Sequence, residues 1–474
     1  MRRVALPLIA ALIAGCTAAP PRTPETSECR NYFEALDLRA AHAGVRDGGT
    51  YRVPGFAYLR VDRFLASFRD EVTDDARFQR WVERMRGLDL SARRAELSNL
   101  GIADVDTELG QVERCGEKLA QLELSQPAQR AQLAQAARVP DDYYMPGRVF
   151  GLYPAALPFL NLGIRGYQKK VEADYARPVA QLEHPGKLVR WDPPAASIPP
   201  KKETKTWFAQ TDALGVPLLS RERWQRLAEA YAPSWWIEQG GDYDRPGAPK
   251  LGSDRPALDA NRPTTYFLRS YTRLGGKVLV QLVYVVWFSE RPVEKFFDAY
   301  AGDLDGVVWR VTLDAEGQPL IYDTIHPCGC YRYYFPVWPL AKKPDGSLWQ
   351  EPALFPQAAV PQAGRLAIRV QSATHYVRRV VEATTAEAEE NHRYLLLPYT
   401  ALLTLDAGNG RTRSLFGEDG LVEGTERGER FWLWVTGVPD AGAMRQWGRH
   451  ATSFVGRSHF DDPKFLNGLF EVAE

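Results

Sequence analysis

The sequence predicts an α+β fold: a helical N-terminal domain followed by a larger antiparallel β-rich domain, either a sandwich or one strongly bent sheet. Three observations predict it. Up to about residue 140, apolar residues recur at helical spacing. From about residue 205, β-branched runs and alternation replace that period. The two patterns follow one another instead of interleaving, which separates α+β from α/β. The expected division is 1–15 and 16–27 as N-terminal extensions, 28–140 helical, 141–204 an apolar and Pro-rich connection, and 205–474 β-rich.

In the helical part, Phe64, Leu65 and Phe68 fall on one face. Phe78, Trp81, Val82 and Met85 repeat that spacing, with Asp74 or Asp75 as the cap. A further helix is expected to begin at Ser91. Others are expected over 112–122, around Cys115, and over 128–137, which is rich in Ala and Gln.

The connection begins with an apolar run, residues 145–166, that contains Gly151, Pro154 and Pro158. Those breakers predict an irregular buried segment or, alternatively, an exposed lip that touches lipid or a partner. Residues 183–204 are Pro-rich and read as a linker or a domain-crossing loop.

In the β-rich part, residues 277–288 are nearly continuously apolar and β-branched, the mark of a central strand buried on both faces. Residues 307–313 and 320–326, joined across Asp314 to Gly317, read as a hairpin with Trp309, Val311 and Leu313 on one face. Further strands are expected at 264–272, 366–371, 394–405 and 431–435. Helices are expected at 221–231 and 380–391.

The first residues carry an address. Arg2 and Arg3 precede an apolar run from Val4 to Ile13, too short to span a bilayer, which needs about 20 residues. The run ends Leu12-Ile13-Ala14-Gly15-Cys16. This resembles the lipobox of bacterial lipoproteins. The resemblance implies a signal peptide over 1–15, lipidation of Cys16 and a membrane partner through the lipid. Residues 16–27 then form an extended tether. Residue 17 is Thr and not the Asp that holds such proteins at the inner membrane, which points to the outer membrane, facing the periplasm. The segment from Tyr231-Ala232-Pro233, through Ile325-His326-Pro327-Cys328-Gly329-Cys330-Tyr331, to His459-Phe460-Asp461-Asp462-Pro463 resembles a set of uncharacterised proteobacterial lipoproteins. That resemblance implies no activity.

Formal net charge is zero, without a basic block, which excludes nucleic acid as a partner. The 13 Trp and 21 Tyr read as core filling, or as stacking surfaces for sugar or peptide. With Cys16 acylated, four cysteines remain. Cys29 and Cys115 share the N-terminal region and are expected to pair in an oxidising envelope.

Cys328 and Cys330 form the one chemically pointed motif. If the hairpin strand continues, His326, Cys328 and Cys330 point to one face, a soft ligand set for Zn or Cu. His450 or His459 would complete it, with His375, His392 and Asp461 as further donors. Two other readings stay open: a strained, labile Cys328–Cys330 disulfide, and two inert buried thiols. Asp303, Asp305 and Asp323 are acidic candidates beside the hairpin, and His450 or His459 is a candidate general base. HExxH, GxSxG, P-loop, GxGxxG, EF-hand and CxxCH motifs are absent from the sequence. The expected function is therefore a lipid-anchored envelope binding or assembly protein, with an envelope protein as a further partner. Metal-dependent and thiol–disulfide activities are the alternatives.

Overall fold

The computed structural model describes residues 24–252, 255–296, 298–337, 342, 349–361 and 364–470. Cys16 lies outside the described residues. The fold is α+β, with helices first and a larger β region after them.

Two sheets make the β region. The larger runs, edge to edge, Tyr333–Pro336, Pro319–Ile325, Gly302–Leu313, Lys277–Arg291, Thr264–Leu274 and Leu395–Pro398. It is antiparallel except for the last pair. The smaller runs Val377–Glu382, Leu366–Val370, Ser234–Gln239, Lys187–Asp192 and Glu390–Arg393. The sheets face each other across the largest core, where Trp191, Trp235, Trp309, Ile237 and Ile368 meet.

The strand Lys277–Arg291 is central, as its composition predicts. Val280, Leu282, Tyr284, Val286 and Phe288 face the inter-sheet core. Val283, Val285 and Trp287 face the opposite way, into a second core closed by Leu402, Phe416 and Phe460 of the C-terminal segment. Burial on both faces removes the polar half of the usual strand alternation.

The N-terminal helices enclose a third core around Phe33, Trp81, Met85 and Leu119. Asp74 caps Asp75–Asn99, accepting the Arg77 N–H at 2.9 Å. Cys29 and Cys115 are bonded, joining Pro24–His42 to Val105–Glu123.

Several expected boundaries move. Helix begins at Pro24, so 24–27 are not extended tether; Pro suits the first turn, where its missing N–H is unused. Ser91 starts no helix, because Asp75–Asn99 runs on through it. The expected strand at 431–435 is instead helical, Arg430–Leu433 and Trp434–Thr436. The expected helix at 380–391 is strand, a short turn and strand, since Val377, Val380 and Ile368 fill the core between the sheets. The strand at 394–405 stops at Pro398, which lacks the N–H to continue the ladder.

The largest revision concerns 145–166. Two helices stand there, Met145–Phe150 and Tyr153–Ala176, separated at Leu152, whose φ is +48°. Pro154 lies in the first turn of the longer helix. Pro158 forfeits one intrahelical bond on an exposed position, while Tyr153, Leu157 and Asn161 bury the opposite face.

The Cys29–Cys115 bond closes a loop of 86 residues in sequence separation. Substituting both cysteines with Ser is expected to cost about 3–5 kcal/mol in urea unfolding, mainly by freeing the unfolded chain. An unchanged midpoint contradicts that role.

Candidate functional site

Two sheet ends meet at a chain of four buried side chains. Asp305 comes from Gly302–Leu313, and His326 follows Pro319–Ile325. His375 lies in the loop between Leu366–Val370 and Val377–Glu382, and Asp244 ends the short helix after Ser234–Gln239. The first pair belongs to the larger sheet and the second to the smaller.

Asp305 is the middle of the chain. Its Oδ2 accepts the His375 Nδ1–H at 2.9 Å, and its Oδ1 lies 3.1 Å from His326 Nδ1. The Gly306 N–H adds a contact to Oδ1 at 2.8 Å. On the other side, His375 Nε2 lies 3.4 Å from Asp244 Oδ1. Asp244 is itself held by the Gly240, Gly241 and Ala373 N–H groups and by the Ser372 hydroxyl, at 2.8–3.1 Å. Phe288 stacks flat on the His375 ring at 4.0 Å.

The charges follow from these contacts. Burial works against a charged His375, but the hydrogen bond to Asp305 and the nearby Asp244 carboxylate outweigh it and raise its pKa. Burial alone would push Asp305 up; the His326 and His375 contacts hold it well below the usual carboxylate range. Burial lowers the His326 pKa, so this ring is neutral and donates from Nδ1. Its Nε2 has no hydrogen-bond partner among the described residues.

The backbone around this chain is strained. Leu304, Tyr331, Ala373 and His375 all have positive φ, between +50° and +63°. Non-glycine residues in that region persist only where surrounding contacts enforce them, and they gather at functional sites.

The chain forms the back of a wall. The His326 ring meets Tyr331 edge-on at 4.9 Å, and Tyr331 lies 4.5 Å from Tyr376, the neighbour of His375. Arg291 donates to the Tyr376 hydroxyl at 3.3 Å and, weakly, to that of Tyr331 at 3.5 Å. In front of these rings opens a cleft of about 1120 Å³ between the helix Tyr153–Ala176 and the C-terminal segment. Tyr300, Cys330, Tyr331, Tyr376, Glu351 and Glu429 line it.

Glu429 is the exceptional group. It is 5% exposed, and its carboxyl has no hydrogen bond or ion pair among the described residues. Burial pushes its pKa up to about 7, against the more distant Arg291 and Arg427 charges. Burial also raises Glu351 to about 7, although that carboxylate accepts the Phe454 N–H at 3.0 Å.

The expected metal geometry is not formed. The strand ends at Ile325, and His326–Cys330 closes a turn instead: the His326 N–H bonds the Cys330 carbonyl at 2.9 Å, and the Gly329 N–H bonds the His326 carbonyl at 2.8 Å. Gly329 has φ +92°, and a side chain there would meet the Ala451 carbonyl at 2.6 Å. The ring Nδ1 of His326 is taken by Asp305, and the thiol of Cys330 neighbours that of Cys328. That neighbour, with burial, raises the Cys330 pKa well above the ordinary thiol value, so it is a poor thiolate. His450 is buried beside Trp447 and Phe460, and burial depresses its pKa to about 3, which suits neither a general base nor a charged group. His459 lies at Asp141 and Asp142 instead. Among the described residues, no three His, Cys, Asp or Glu side chains are placed to hold a metal ion.

Of the other candidates, Asp323 is a bidentate partner of buried Arg310, at 2.8 and 2.5 Å, and Asp303 pairs with Arg255 at the surface. His392 is exposed beside Glu390, and Asp461 contacts Arg63. Asp305 and His375 alone among these candidates join His326. Asp244, Glu429 and the tyrosine wall carry no local motif.

No protein-family model, curated protein or solved structure matches this chain.

His375→Ala leaves Asp244 and Asp305 buried without their cation. The expected cost is about 3–5 kcal/mol by urea unfolding, the range for removing one partner of a buried ion pair. The sign with pH is also determined. A raised imidazole pKa stabilises fully below its unfolded value of 6.5, and that stabilisation is lost as pH rises through the folded value. The difference between wild type and His375→Ala should therefore shrink at alkaline pH. A difference that grows with pH contradicts the assignment.

Proposed function

We propose that this chain is an exported lipoprotein, acylated on Cys16 and held at the outer membrane facing the periplasm, whose folded body binds a small ligand in the aromatic cleft. The lipid half of the reading rests on the run Leu12 to Cys16 and on Thr17. The binding half rests on Glu429. Its carboxyl is largely desolvated at the cleft and has no protein partner among the described residues, so only cleft solvent or a ligand can satisfy it. A ligand that donates hydrogen bonds to it would meet that need. Tyr300, Tyr331 and Tyr376 line the cleft with it, so a ligand with hydrogen-bond donors next to an apolar part fits best. Among the described residues no helix is long and apolar enough to cross a membrane, which leaves the acyl group as the proposed attachment.

A second reading, thiol–disulfide chemistry, has one observation in its favour: Cys330 lines the cleft and the free thiol of Cys328 neighbours it. Thiol titration of the purified full chain, with and without prior reduction, tests it. Four thiols appearing only after reduction, two of them from Cys29–Cys115, support it, and two free thiols from the outset, with two more released from Cys29–Cys115, remove it.

For the main reading, radiolabelled palmitate should enter the wild-type chain and not Cys16→Ser. Glu429→Met should raise the thermal midpoint by several degrees, because an uncompensated acid is replaced by an apolar side chain of similar length. A lower midpoint would make Glu429 a structural acid. Native mass spectrometry of the full chain released from membranes should show a bound small molecule that Glu429→Met lacks; identical spectra without one overturn the binding reading. The pH response has a fixed sign. Glu429 titrates at about 7 folded against an ordinary 4.5, so its contribution to stability falls as pH rises between those values. Glu429→Gln should flatten that part of the stability curve.

A further inference from the structure

The helices Met145–Phe150 and Tyr153–Ala176 and the segment 430–436 present one apolar surface to solvent. Phe150 is 80% exposed, Phe159 78%, Leu162 73% and Phe431 71%. These are not scattered residues. Buried Arg148 ties the segments together, donating to the carbonyls of Thr436 and Gly456 at 2.6 Å each and lying over the rings of Tyr143 and Tyr153. The Tyr144 N–H bonds the Gly437 carbonyl, and Gly151 packs on Val435. A rigid, contiguous apolar face of this kind marks an interaction surface.

Its chemistry selects the partner. No Asp or Glu occurs between Asp142 and Glu172. Phe159 and Leu162 continue along the exposed face of their helix into Arg165, Lys169 and Lys170, all exposed. Trp432 and Trp434 flank the patch, each nearly half exposed. Apolar side chains bordered by cations and by indoles match an anionic lipid–water interface, where acyl chains, phosphates and the interfacial zone are met in turn. Trp serves protein interfaces as well; the run of cations without a carboxylate between Asp142 and Glu172 is what favours an anionic lipid surface. The tether argument, which rests on the anchor reading above, agrees: from Cys16 to Pro24 the chain reaches at most about 28 Å, so the body stays close to the bilayer.

We propose that this lip seats on an anionic bilayer surface. Phe159, Leu162 and Trp432 also line the cleft, so its mouth opens at the lipid surface. Docking there would deliver ligands from the membrane instead of from bulk water.

Photocrosslinking tests the contact directly. The full chain carries a benzoylphenylalanine at position 159, 162 or, as a control on the exposed side of the helix Lys201–Phe208, 206. Each form is mixed with vesicles of phosphatidylethanolamine and phosphatidylglycerol and irradiated. Lipid adducts about tenfold more abundant at 159 and 162 than at 206 are expected for an interfacial face. Changing Arg165 and Lys169 to Glu in the 159 form should reduce them. Equal labelling at the three positions overturns the proposal, and so do protein adducts in place of lipid at 159 and 162. Palmitate labelling of Cys16 reads the anchor separately: lip adducts on an unacylated chain sustain the lip and refute the anchor.

Discussion

The architecture turns on one carboxylate. Asp305 sits where the two sheets come together and is reached from both, by His326 on its own sheet and by His375 on the other. A lone buried anion there would be untenable, since desolvating it costs several kcal/mol. His375 makes it tenable by carrying a proton between two acids, and Asp244 is fixed in turn by three backbone N–H groups and Ser372. The consequence is directional. Hydrophobic contact holds the sheets together anywhere along their faces, whereas this ionic clasp specifies one register at one end. The positive φ values of Leu304, Ala373 and His375 show the backbone adapting to it.

From that clasp the cleft follows. Tyr331 lies at the end of the turn that begins with His326, and Tyr376 follows His375, so ordering the two imidazoles orders the aromatic wall in front of them. Arg291 reaches the hydroxyls of both tyrosines and contributes charge near Glu429 without pairing with it. The result is a packed aromatic wall beside one acid that has no protein partner among the described residues. In a molecule where Arg310 and Asp323, Arg369 and Glu238, and Arg60 and Glu96 all pair while buried, an unpaired buried carboxyl at a cleft is a difference of kind. The apolar lip adds a second open valence, at the mouth of the same cleft.

Much of the fold was legible in the sequence. The central strand revealed itself through uninterrupted β-branched residues, and Phe78 to Met85 through helical spacing with an Asp cap. The Cys29–Cys115 bond followed from cysteine number and placement. Where the reading erred, tertiary packing had overridden local preference. Valines around 380 joined a sheet despite neighbouring helix formers, and residues 430–436 coiled because Arg148 and Gly437 required their carbonyls and close approach. Proline at 154 and 158 concealed a helix held by Tyr153 and Leu157. The site was the least legible part. Cys328 and Cys330 drew attention as a motif, yet Gly329 turns the chain and leaves the sulfurs to each other. The functional groups beside them come from positions far apart, 244, 305, 375 and 429, and no short spacing announces them. Asp305 and His375 were visible only as candidates; topology brought them together.

The most direct test of this account is the protonation state of His375, read by nitrogen-15 NMR of the imidazole with His375→Gln to assign the signal. The clasp requires a doubly protonated ring at neutral pH, with both nitrogens carrying hydrogen and titration above the ordinary 6.5. A single-proton tautomer at pH 7 would contradict it, leaving Asp244 and Asp305 without the cation that makes their burial possible.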